Sequence, residues 1–217
     1  MPTTTIDKPT VSALNDSKFA KVASNESTET AKAALEANGF KVKVVENLAE
    51  AKAEVKAIIP AKAEVFTATS ATLDKAGLTE ELNSDKYTSV RNKFMALYGD
   101  VSKALEMRRI GSASDYTVGS VHAITEDGQV VVASASGSQM PNYVYGASNV
   151  IWLVGTQKIV SDLTEALDRI ENYTFHLEDT RALKAYGMNS SLNKLLIYRK
   201  ETGGRVTIIL VKEAVGF

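Results

Sequence analysis

Whatever chemistry this chain performs must come from two histidines, a run of hydroxyls and a few carboxylates, because it contains no cysteine. The densest hydroxyl run is Thr67-Ala68-Thr69-Ser70-Ala71-Thr72, where a short apolar segment gives way to a helical pattern. Backbone N–H groups at a helix start, supplemented by the hydroxyls of Thr69, Ser70 and Thr72, can hold a phosphate or a carboxylate. The same residues also make an ordinary helix start with Ser70 as N-cap. Both readings stay open.

His122 titrates near neutrality and suits proton transfer. A lone histidine between apolar neighbours is more often a satisfied structural residue. Glu126, beside Asp127-Gly128, offers the carboxylate of a base or nucleophile; the plainer reading is a type I′ hairpin turn with Glu126 solvated. Glu126 and His122 are the two catalytic candidates. The run Ser134-Ala135-Ser136-Gly137-Ser138-Gln139 carries no large side chain, so a backbone can approach a ligand closely there. Ser136, Gly137, Ser138 and Gln139 are read as one wall of a cleft. Gly155-Thr156-Gln157-Lys158 follows an apolar run, which puts Gln157 and Lys158 at the end of a strand, with Lys158 placed to neutralise an anion. His176 with Glu178 and Asp179 has the donor types of a metal site, but two carboxylates at a helix start serve equally as caps. The caps are favoured, and no metal or other cofactor is assigned.

The elements that must position these residues can be read from periodicity. Helical patterns cover Leu14–Ala23 and Asn25–Asn38, the second stopped by Asn38-Gly39. Lys41–Val45 alternates polar and apolar, as an edge or half-buried strand does. Asn47 followed by Glu50 forms a capping box for a helix carrying Leu48, Ala51, Val55 and Ile58. Val65–Thr67 is a short strand leading into the next helix. Residues 77–99 read as a connection over the sheet edge, and Asp100 caps a helix with Val101, Ala104 and Leu105. Strands are expected near Tyr116–Val118, Val130–Ala133 and Val150–Val154, the last apolar enough to be covered on both faces. Pro141-Asn142-Tyr143 enters a helix carrying Tyr145. Ser161 or Asp162 caps a helix with Leu163, Leu167 and Ile170 on one face, and a short helix over Glu178–Tyr186 stops at Gly187. Lys194–Tyr198 and Val206–Val211 read as a hairpin across Glu201-Thr202-Gly203-Gly204. The alternation of helix and strand predicts an α/β fold with a mainly parallel sheet flanked by helices. Residues 1–24 form an arm and helix, and 25–217 a single domain.

With 217 residues the chain can bury a full core. A net charge of −1 and no basic run interleaved with aromatics set nucleic acid aside. No apolar run approaches the roughly 20 residues of a membrane-spanning helix, and the N-terminus lacks a signal-peptide core. The absence of cysteine excludes disulfides, thiolate zinc and cysteine-ligated iron–sulfur clusters. A soluble protein of the cytoplasm is the expectation.

Three segments resemble one family. Ser120-Val121-His122-Ala123-Ile124-Thr125-Glu126-Asp127-Gly128 is similar to the S-x-x-A-I-T-E-D-G core of the lactate-utilisation (LUD) domain. So is Val154-Gly155-Thr156-Gln157-Lys158-Ile159-Val160, followed by Asp162-Leu163, Glu165-Ala166 and Arg169-Ile170. Ser70-Ala71-Thr72-Leu73 with Gly77-Leu78 resembles the family's first loop, and the likeness covers roughly residues 60–175 in matching order. The chain departs from the family pattern at Thr67-Ala68-Thr69, where glycines are common, and at Ser134–Gln139. The resemblance implies a fold like ribose-5-phosphate isomerase, glucosamine-6-phosphate deaminase and the coenzyme A transferases. It places ligands over the strand C-termini, as open α/β sheets do in general. It adds Ser120 to the ligand-binding set and makes binding the stronger role for His122, whose place in the family is usually held by asparagine. Its best-known members accompany iron–sulfur subunits in lactate oxidation. A small anionic metabolite is the expected ligand, bound by an accessory protein with partner subunits or as a homo-oligomer. The alternative is a stand-alone sugar-phosphate isomerase or acyl-CoA transferase using Glu126 or His122.

Overall fold

The computed structural model describes residues 14–217, so the arm expected over residues 1–12 lies outside the described residues. After a 3-10 turn at Lys18–Ala20 come α1 (Asn25–Ala37), β1 (Lys41–Val45), α2 (Leu48–Ile58) and β2 (Glu64–Thr67). Two short helices, α3 (Ala71–Lys75) and α4 (Leu78–Leu82), lead to β3 (Thr88–Ser89), α5 (Val90–Met95) and α6 (Ala104–Ile110). The central stretch supplies β4 (Ser114–Gly119), β5 (Ala123–Thr125), β6 (Val130–Ser134), β7 (Ala147–Gly155) and β8 (Ile159–Val160). The chain closes with α7 (Leu163–Arg169), α8 (Phe175–Tyr186), β9 (Lys194–Tyr198) and β10 (Val206–Val211).

Helix starts form where the sequence offers acceptors. Asn47 Oδ1 accepts the Glu50 N–H at 3.0 Å, while the Glu50 carboxylate reaches back to the Glu46 N–H at 3.0 Å. Asp162 does the same for α7, accepting the Glu165 N–H at 2.9 Å, and Glu165 accepts from the Ser161 N–H at 2.7 Å. Each cap of this kind contributes about 1 kcal/mol.

Six strands pair in parallel in the order β1-β10-β7-β4-β2-β3. β7 lies inside this sheet and alternates between two cores. Val150, Trp152 and Val154 face one, Ile151 and Leu153 the other. β10 divides likewise, with Ile208 and Leu210 on one side and Ile209 and Val211 on the other. That two-sided burial is what an unbroken apolar strand requires. A second sheet, β8-β5-β6-β9, packs Ile124, Val130 and Val132 into the core that holds Trp152. Its other face sets Ala123, Val131 and Ala133 against Ala166 and Ile170 at the α7 end.

Three local expectations are corrected and one is refined. β9 and β10 do not form a hairpin: β9 pairs with β6, while β10 inserts between β1 and β7. A run of turn residues between two strands cannot by itself tell a hairpin from a passage between sheets. The β5–β6 turn is a hairpin but not type I′, because only Gly128 in it has positive φ, at 83°. A type I′ turn needs positive φ at both central residues. The expected helix after Pro141 forms over Asn142–Gly146, but it is wound as a single π turn and leaves the side chain of Tyr145 exposed. Asp100 caps a 3-10 turn ahead of α6, and Val101 and Leu105 stay exposed among the described residues. No helix of the described residues is long and apolar enough to cross a membrane.

Candidate functional site

Strands β2, β4, β7 and β10 end at Thr67, Gly119, Gly155 and Val211, along one edge of the parallel sheet. The residues following these ends meet there. After β4 the chain crosses to the second sheet through Ser120-Val121-His122, and after β7 it makes a 3-10 turn, Thr156–Lys158, whose three residues are all buried. Lys158 lies only 2% exposed. Its Nζ donates to Thr72 Oγ1 at 3.3 Å, Ser120 Oγ at 3.1 Å and the Val121 carbonyl at 3.0 Å. Thr72 and Ser120 are themselves 3.3 Å apart. Three of the anticipated ligand-binding residues therefore converge on one buried ammonium.

Burial, and then the Arg169 charge, hold the Lys158 pKa well below the usual lysine range. Arg169 itself has 0% exposure and a pKa lowered by burial to about 10. Its Nη1 donates to the His122 carbonyl at 2.6 Å and to Thr174 Oγ1 at 2.7 Å, and the guanidinium lies 5.2 Å from the Tyr173 ring centroid. Arg169 was not singled out from the sequence beyond its place in the family pattern. A charged residue at the end of an amphipathic helix looks solvated until the fold encloses it.

His122 stands beside both cations. Its Nδ1 accepts the Ala133 N–H at 3.1 Å, so the neutral ring carries its proton on Nε2. Desolvation comes first, and the Lys158 and Arg169 charges add to it, lowering the His122 pKa to about 3. Glu126 lies at the far end of β5 from His122, about 13 Å along the strand by its rise per residue. It borders a cleft of about 300 Å³ with Lys18, Lys21, Ser161 and Glu165, which Gln157 also lines. The two catalytic candidates are not brought together.

The remaining candidates divide. Ser70 caps α3, accepting the Leu73 N–H at 3.4 Å, and exposed Thr69 accepts from Arg91 Nη1 at 3.1 Å. Gln157 Nε2 donates to the Val215 carbonyl at 2.9 Å and the Gly216 carbonyl at 3.3 Å. The tail also reaches Thr72, whose hydroxyl donates to the Val215 carbonyl at 3.4 Å. Residues 215–217 thus run from Thr72 and Gln157, on either side of Lys158, to the cluster of Ala166, Ile170 and Tyr173 that Phe217 joins. The Ser134–Gln139 loop leaves β6 next to His122, but among the described residues its hydrogen bonds stay within the loop or reach Met140, Tyr143, Asn193 and Lys194. Ser134 Oγ bonds Gln139 Oε1 at 3.1 Å, Ser136 Oγ bonds Ser138 Oγ at 3.2 Å, and the Gly137 N–H bonds Ser134 Oγ at 2.9 Å. Among the described residues none of these bonds reaches Thr69–Thr72.

No group of three or more histidines and carboxylates that could hold a metal occurs among the described residues. Glu178 and Asp179 are not helix caps either, because α8 continues from α7 through a π turn. Glu178 pairs with Arg181 at 2.7 Å, and Asp179 accepts from Asn189 and the Ser190 N–H.

Comparison with known proteins agrees with this architecture. The chain resembles the crystal structure of a DUF162 family protein from Deinococcus radiodurans, with 13% identity and a TM-score of 0.54 over 88% of this chain and 99% of that one. At that identity the likeness is one of fold. No curated protein sequence matches the chain. The LUD domain family model matches residues 28–211, nearly the whole span of both sheets and their helices, and the chain belongs to the LUD domain family.

Proposed function

We propose that this LUD domain binds a small anionic metabolite at the sheet edge where Lys158, Thr72 and Ser120 meet, as an accessory protein of lactate or related carboxylate metabolism. One observation carries the reading. Lys158 is buried, and among the described residues its ammonium is hydrogen-bonded only to two hydroxyls and a carbonyl, none of which neutralises it. Burying a cation without a counter-charge costs several kcal/mol, and an anionic ligand offsets that cost by binding. Hydroxyls that reorient toward an anion's oxygens complete the cradle. Gln157, next in sequence to Lys158, is assigned a supporting contact.

Cysteine-ligated iron–sulfur chemistry is not supplied by these 217 residues, which hold no thiolate. No arrangement favours a stand-alone isomerase or transferase: His122 Nδ1 is engaged by a backbone N–H, and Glu126 borders the cleft lined by Lys18 and Glu165. The test is a thermal-shift panel of lactate, pyruvate, sugar phosphates and coenzyme A thioesters on the wild type and Lys158→Met. At least one anion should raise the wild-type melting temperature and leave the variant unmoved. Silence across the panel, or a shift that survives Lys158→Met, overturns the proposal.

A further inference from the structure

We infer that the Lys158 site takes a dianion, a phosphate ester or a dicarboxylate, with Arg169 gripping its second charge through the Nε–Nη2 edge. The inference deepens the anion-binding reading above and rests on it. Its starting point is a count of charges. Two cations are buried at this edge of the sheet, and among the described residues neither makes an ion pair with a carboxylate. A single carboxylate ligand would leave one of them uncompensated.

The geometry of Arg169 sharpens the argument. Both hydrogens of Nη1 are used, one on the His122 carbonyl and one on Thr174 Oγ1. Nε and Nη2 are buried and have no hydrogen-bond partner among the described residues. Those two nitrogens form the side of the guanidinium whose parallel N–H bonds match the two oxygens of a carboxylate or phosphate. Leaving two charged donors buried and unbonded is among the costlier arrangements in a folded protein. The rest of the side chain is fixed by the Nη1 bonds and the Tyr173 ring, so the open edge is held in place without a ligand.

The two cations also lie within one small molecule's reach. Lys158 bonds the Val121 carbonyl and Arg169 bonds the His122 carbonyl, which belong to successive residues of the crossing between sheets. The tail lines the same route, because Val215 and Gly216 meet Gln157 while Phe217 packs with Ala166, Ile170 and Tyr173. A ligand that touches both cations therefore displaces residues 215–217.

Titration calorimetry on the full chain, at a slightly alkaline pH where inorganic phosphate is a dianion, tests the inference with lactate, inorganic phosphate and malonate as probes. At least one dianion should bind the wild type about tenfold or more tighter than lactate. Arg169→Gln should bring that ratio close to one, and Arg169→Lys, which keeps the charge but loses the fork, should lower it while the protein stays folded. Malonate ahead of phosphate assigns a dicarboxylate, and the reverse order a phosphate ester. Lactate binding as tightly as both dianions overturns the inference in the wild type alone, and so does a dianion preference that survives both Arg169 variants. If lactate binds through Lys158 with no dianion preference, only this inference fails. If no anion binds and Lys158→Met changes nothing, the underlying site fails with it.

Discussion

At the scale of single residues, burial lowers the proton affinity of the basic groups near the sheet edge, and binding of an anion should reverse this at Lys158. Because burial lowers the Lys158 pKa well below the lysine range, a bound anion raises it again, and at alkaline pH the unprotonated fraction of the amine takes up a proton. Calorimetry at alkaline pH should show heats that depend on the buffer's ionisation enthalpy, with net proton uptake; buffer-independent heats would contradict it. Without ligand, Lys158→Met removes a buried ionisable group and should stabilise the protein by about 1–3 kcal/mol while abolishing the response. A drop in stability comparable to losing a core side chain would show that the lysine is structural. His122 is shifted in the same direction. Its folded pKa of about 3 lies below the ordinary 6.5, so its contribution is fully present above pH 6.5 and is lost as pH falls toward 3. His122→Gln, whose side-chain oxygen can still accept the Ala133 N–H, should flatten that part of the acid limb in pH-dependent urea melts. Lys158 was legible in the sequence because an apolar strand followed by G-T-Q-K fixes which edge the lysine reaches. Arg169 was not, because nothing in D-L-T-E-A-L-D-R says that the second sheet will close over its last residue.

At the scale of elements, the C-terminal tail is held against Thr72 and Gln157 through the Val215 and Gly216 carbonyls. Gly216 has φ of 66°, and a Cβ there would overlap Thr72 Oγ1. Backbone strain and steric overlap both oppose a larger residue. Gly216→Val should therefore unseat residues 214–217, raising their hydrogen exchange and protease sensitivity with little change in the global melting temperature. Anion association should become faster in the same variant, since Val215 and Gly216 no longer occupy Gln157 and Thr72. An unchanged association rate with an exposed tail would mean that ligands enter by another route. The elements themselves were mostly written locally: the Asn47 and Asp162 caps, the β7 run and the α/β alternation all depend on residues within one turn or one strand of each other. What stayed hidden was non-local. The separation of β9 from β10 and the placement of β10 inside the parallel sheet follow from pairings with residues 41–45 and 150–155, which no local pattern encodes.

At the scale of the whole molecule, the two sheets are joined through one aromatic side chain. Trp152 is the chain's only tryptophan and is fully buried. It meets Tyr143 at 5.4 Å and Tyr198 at 5.3 Å, both edge-on, and Phe40 at 6.3 Å. These partners come from the turn before β7, from the second sheet and from the start of β1, so the indole links segments that are distant in sequence. Tyr198 strengthens the link by donating its hydroxyl to the Tyr143 carbonyl, which also accepts from Arg205 Nη2 at 2.6 Å. Edge-to-face ring pairs add about 0.5–1.5 kcal/mol each beyond the area they bury. If the core is shared in this way, neither sheet can melt while the other persists. Unfolding in urea followed by Trp152 fluorescence should then coincide with unfolding followed by far-ultraviolet circular dichroism, in one transition. Trp152→Ala, followed by dichroism alone because the variant has no tryptophan, should cost about 3–5 kcal/mol through lost burial and the cavity left behind. Fluorescence changing at a lower urea concentration than dichroism would mean that the second sheet detaches first. The Ser120–His122 crossing would then be the hinge, and Lys158 and Arg169, which bond to its carbonyls, would lose their shared geometry before the parallel sheet unfolds.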